Sequence, residues 1–172
     1  SLELDSTHTL SDIMAIDIID NGIGFTEENK DSFDTYRSGF KMSKGGKGFG
    51  RFMYLKYFNH VSIESIFYED DKYKQRSFTF GHADEIIENE KIVDIESDSS
   101  IHTGTTLHLS SVKSFDLDKG LEVIARKLVE RLLVYFVTGG IYTPIITIKE
   151  EDGSNAIILN DYIGDKSDIQ QI

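Results

Sequence analysis

Apolar positions in this chain come mostly in short alternating or continuous runs, and they take up a long helical period only once. Ile13 to Ile19 is an apolar run that ends on Asp20 and reads as a strand. Leu2 to Asp5 alternates in the same way ahead of it. Val61 to Glu69 and Tyr73 to Phe80 are β-rich runs on either side of Asp70-Asp71-Lys72, which predicts a hairpin. Lys91 to Glu96 and Thr105 to Leu109 continue a sheet, with the acidic, serine-rich stretch Ser97 to Ser100 as a loop between them. From Asp116 to Val137 the apolar residues Leu117, Leu121, Ile124, Leu128, Leu132 and Phe136 recur at helical spacing, with Asp116 as a cap and Gly139-Gly140 as a stop. Ile145 to Lys149 and Ala156 to Leu159 form a final hairpin. Arg51 to Phe58 is helix-like, and a short helix opens the polar segment Thr26 to Lys44. This order of elements predicts an α/β two-layer sandwich, with helices on one face of a mixed, mainly antiparallel sheet.

Two glycine clusters interrupt that pattern. Asp20-Asn21-Gly22-Ile23-Gly24 places a carboxylate on a strand's last residue, followed by glycines that let a ligand approach bare backbone. Lys44-Gly45-Gly46-Lys47-Gly48-Phe49-Gly50 leads into the second helix, where free N–H groups attract phosphate oxygens. Taken singly, the first also fits a strand-ending turn and the second a flexible surface loop. Together they suggest a nucleotide site, with a base at one end and its phosphates at the other. The spacing is not that of a Walker-type loop, because Lys47 is followed by Gly48 and not by a hydroxyl residue. A dinucleotide fingerprint is also unmatched, since no third glycine stands at the required offset.

Charge concentrates on the same stretch. The chain of 172 residues has 18 Lys and Arg against 30 Asp and Glu, a net charge of −12. Yet 35–60 contains no acid and holds Arg37, Lys41, Lys44, Lys47, Arg51 and Lys56. In an acidic protein such a focus would draw a polyanion to one place, whereas direct nucleic-acid binding would need a broader basic face. There is no Cys, which removes disulfides and thiolate metal sites. No apolar run approaches a membrane span, and a cytoplasmic setting is the expectation. His8, His60, His82, His102 and His108 show no ligand spacing.

With these residues in place, the chain resembles the GHKL ATPases, histidine-kinase-like proteins with the Bergerat ATP-binding fold, and is most similar to a bacterial branch of them. Asp20-x-Gly22-x-Gly24 resembles the family's adenine motif, Gly45-x-x-Gly48-x-Gly50 its phosphate lid, and Gly104-Thr105 its third element. The resemblance implies that Asp20 accepts a hydrogen bond from the adenine amino group, that Thr105 assists, and that Phe25 lines the base pocket. Lys44 to Gly50 would then collect the phosphates. It implies ATP as ligand, Mg2+ in the intact parent, and a homodimer there.

One family motif is not matched. A helix carrying Glu and Asn should precede the strand that ends at Asp20, but Ser1 to Asp12 contain no Asn and Glu3 stands in a strand-like alternation. In the family that Asn holds the magnesium ion and that Glu polarises the attacking water. The expectation is therefore a fragment that begins after the catalytic helix. Its ATPase core would span 1–137, and an extension at 138–172 would run toward an output region. Two functions follow: an ATP-binding module whose lid closes on nucleotide to drive conformational change, or a degenerate, non-catalytic interaction domain.

Overall fold

The computed structural model describes residues 13–34, 50–81, 87–96, 98–113, 120–138 and 143–161. Strand β1 (Ala15–Asp20) leads through the Gly22–Gly24 bend into helix α1 (Glu27–Asp34). Helix α2 (Gly50–Tyr57) runs directly into β2 (Phe58–Glu69), followed by β3 (Lys72–Phe80), β4 (Ile87–Ile95) and β5 (Gly104–Val112). The five strands form one sheet in the order β1-β5-β2-β3-β4, and every neighbouring pair is antiparallel. These strands lie in a compact unit from Ile13 to Phe115.

Alternation along the strands sets the buried face. Val61, Ile63, Ser65 and Phe67 of β2 point inward with Arg76, Phe78 and Phe80 of β3 and with Leu107 and Leu109 of β5. The register stacks them into cross-strand rows, Ile16–Leu109–Val61 and Ile18–Leu107–Ile63–Phe78. Helix α1 adds Phe33 to this core, and α2 adds Tyr54, Leu55 and Tyr57. Thr26 caps α1, its Oγ1 accepting from Asn29 N–H at 3.3 Å.

The expected two-layer α/β sandwich with a mixed sheet, the Bergerat arrangement, is corrected here. The structure is mostly antiparallel β-sheet. Helices α1 and α2 have eight residues each, about 12 Å of length at the helical rise. The five strands span roughly 19 Å across the sheet at the usual inter-strand spacing. Among the described residues of this unit strand therefore outweighs helix. The sequence suggested a sandwich because hairpin-length strands and a few helices fit either class, and only the register decides between them.

In the second unit, helix α3 (Leu121–Thr138) packs Ala125, Val129, Leu128 and Phe136 against Leu159, Ile146, Ile148 and Ile157. These last residues border or belong to a small antiparallel pair, β6 (Thr147–Ile148) with β7 (Ile157–Ile158), which Leu159 N–H extends by bonding Ile146 O at 2.8 Å. The helix and the terminal hairpin were both expected. Asp116, Leu117, Gly139 and Gly140, expected as cap, first apolar position and stop, lie outside the described residues, as does the Leu2–Asp5 strand. By compactness α3 and the terminal hairpin belong to one unit and Ile13 to Phe115 to another.

Candidate functional site

At the end of the sheet where β1 stops, the apolar rows give way to a polar one. Asp20, Thr105, Ser65 and Arg76 are successive cross-strand partners on β1, β5, β2 and β3, and so share the face that carries the core. Asp20 is exposed at the open end of this row; Ser65 and Arg76 are buried at the other. The row beneath it, Ile18–Leu107, is half open, because Ile18 keeps 47% of its surface.

Asp20 is oriented locally. Its Oδ1 accepts from Gly22 N–H at 2.8 Å, an Asx-type turn, and its Oδ2 has no partner among the described residues. Ile23 is 69% exposed beside it. On the far side of Thr105, Ser65 Oγ accepts Phe25 N–H at 2.8 Å and lies 3.0 Å from both Gly104 O and Thr105 Oγ1. A hydroxyl has one proton, so Ser65 donates to only one of those two oxygens. That choice sets whether Thr105 offers the site a donor or an acceptor.

The backbone from Gly24 to Thr26 is held at each residue. Gly24 has φ +79° and is buried; a Cβ there would sit 2.3 Å from Ile66 O. Asn29 Nδ2 donates to Gly24 O at 2.8 Å. Arg76 Nη1 donates to Phe25 O at 2.9 Å and to Thr26 O at 3.1 Å, while Nη2 pairs with the Glu27 carboxylate. Glu90 Oε1 lies 3.1 Å from Arg76 Nε, an ion pair without hydrogen-bond geometry. The Phe67 ring covers the guanidinium, its centroid 5.1 Å from Cζ.

The structure therefore brings together Asp20, Gly22, Gly24 and Thr105 from the expected set. Gly24 does not expose bare backbone to a ligand as the sequence suggested. Its open side is filled by β2, which is why the chain can turn so close to Ile66. Gly104 acts similarly, since a Cβ there would meet Asp20 O at 2.3 Å. The Phe25 ring packs with Phe33 and Phe78 at centroid distances of 5.4 and 5.6 Å. Gly50 is the first residue of α2. Lys44, Gly45, Gly46, Lys47, Gly48 and Phe49 lie outside the described residues.

Sequence reading missed Ser65 and Arg76. The signal was available: both occupy inward positions of strands whose other fully buried residues are apolar, and a polar residue in core register needs a partner. His108 pairs through Nδ1 with Asp17 on the opposite face of the sheet. Among the described residues no group of three or more His, Asp or Glu could hold a metal ion, and no helix is long and apolar enough to cross a membrane. No protein-family model matches the chain, and no curated protein matches it.

Proposed function

We propose that this chain is the adenine-nucleotide-binding module of a larger ATPase of the GHKL type, in which bound ATP gathers the glycine-rich segment Lys44 to Gly50 and drives a conformational change. The observation that carries the reading is the Asp20 carboxylate at the open end of the polar row. One oxygen is fixed by Gly22 N–H, the other lacks a partner among the described residues, and Thr105 stands directly opposite. An exocyclic amino group would donate to the free oxygen, and the flat base would rest near the half-open Ile18–Leu107 step. Fold lends the proposal no weight; the site alone supports it.

The magnesium ion and homodimer of the intact parent, and a cytoplasmic setting, belong to the same proposal. A second reading, a non-catalytic interaction domain, is favoured by one observation: Gly24 and Gly104 are explained by packing against Ile66 and Asp20 without any ligand.

Calorimetric titration with ATP separates the two. The nucleotide reading expects saturable binding that Asp20→Asn weakens by about tenfold or more, the worth of a charge-assisted hydrogen bond. The variant should keep its fold, because Asp20 is exposed. No saturable binding by the unaltered chain would favour the interaction domain.

A further inference from the structure

Ser65 and Arg76 face each other across β2 and β3, and they hold the two ends of a single residue. The Ser65 hydroxyl takes the N–H of Phe25, and the Arg76 guanidinium takes its carbonyl. The same guanidinium reaches the next carbonyl, at Thr26, and the first carboxylate of α1, at Glu27. It is fully buried. A charge is costly in that position unless its donors are matched, and an apolar side chain in this register would simply extend the core. What the guanidinium secures is the backbone immediately after Asp20-Asn21-Gly22-Ile23-Gly24.

We infer that Arg76, together with Ser65, is a positioning residue for the Asp20 site, holding the Phe25–Thr26 backbone so that the turn whose Gly22 N–H orients the Asp20 carboxylate is fixed before any ligand arrives. The inference rests on the nucleotide reading only for the identity of that ligand. A loop already fixed loses less freedom on binding, so its ligand binds more tightly. Lysine cannot replace the arginine, because one ammonium does not present a planar fork to two carbonyls and a carboxylate at once. Glu90, on the far side of the guanidinium, ties the same device to β4.

The test uses the full chain with Arg76→Lys and, as a control for stability alone, Val61→Ala, which trims the buried core two rows from Ser65. Three properties are read: urea stability, hydrogen exchange at the Gly22 to Thr26 amides without ligand, and affinity for a non-hydrolysable ATP analogue. Arg76→Lys should speed exchange in the loop and weaken the analogue by about tenfold each, as the loss of charge-assisted hydrogen bonds implies. Protection in β2 and β5 should fall no further than in the control. Equal effects of both variants on loop exchange and affinity would make Arg76 structural only and overturn the inference. Absence of analogue binding by the unaltered chain, with loop exchange still accelerated in Arg76→Lys, would remove the nucleotide reading and leave the positioning role standing. Should Arg76→Lys fail to fold, Glu27→Ala removes the acceptor that Arg76 Nη2 meets, from an exposed position, and should speed loop exchange about threefold. No change there would overturn the inference.

Discussion

Gly24 is under two constraints together, a left-handed backbone at φ +79° and a neighbour's carbonyl where a side chain would start. Gly24→Ala should therefore cost about 3 kcal/mol or more, combining left-handed strain with forced movement of β2. Ser65→Ala puts no strain into the backbone but leaves Phe25 N–H without an acceptor, at about 1–3 kcal/mol. Urea midpoints should rank the two in that order. Only part of this site could be read in advance. Asp20 and Thr105 are visible because a strand-ending carboxylate and a Gly-Thr step are local patterns. Ser65 and Arg76 depend on register across β2, β3 and β5, and register is settled by contacts that lie 40 to 51 positions apart in sequence. The packing role of Gly24 was equally hidden, since Ile66 is far from it along the chain.

Between the residues and the molecule, the β2–β3 hairpin is the element whose local chemistry best matches its shape. Asp70 and Asp71 adopt φ of 53° and 59°, the paired positive values of a two-residue hairpin turn. Asparagine and glycine suit those positions better. The double substitution Asp70→Asn, Asp71→Gly should stabilise the protein by about 0.5–1 kcal/mol, read as a raised urea midpoint. It gives up the contact from Lys74 Nζ to Asp70 at 2.6 Å, which pushes the Lys74 ammonium's pKa up. Asp70 is open to solvent, so the turn should dominate. A lowered midpoint would show that the ion pair matters more than the backbone. Hairpins of this kind were readable from alternation and turn residues, as were α1, α2 and the body of α3. The placement of β5 between β1 and β2 was not, because no local pattern encodes which strand a distant strand will choose.

At the scale of the whole molecule, charge is unevenly divided: the net is −12, yet 35–60 is purely basic. If that stretch serves the phosphates of a bound nucleotide, ionic strength should separate ligands by their phosphates. Raising salt from about 0.05 to about 0.5 M shortens the Debye length to a few ångströms and should weaken ATP far more than adenosine. Parallel titrations of the two ligands check this, and equal salt dependence would detach the basic stretch from the site. The strand order carries a further consequence, for how the protein comes into being. β1 is made early, but its neighbour β5 follows some ninety residues later, Ala15 lying opposite Ser110. A ribosome would thus release β2, β3 and β4 as a contiguous meander while the Asp20 strand still lacked its partner in this sheet. Closing so long a loop is slow compared with zipping a hairpin. The nascent chain must then carry Ile16 and Ile18 without their β5 partners Leu109 and Leu107 until β5 has been made. For that interval the strand bearing the Asp20 carboxylate is open to chaperones and to wrong neighbours.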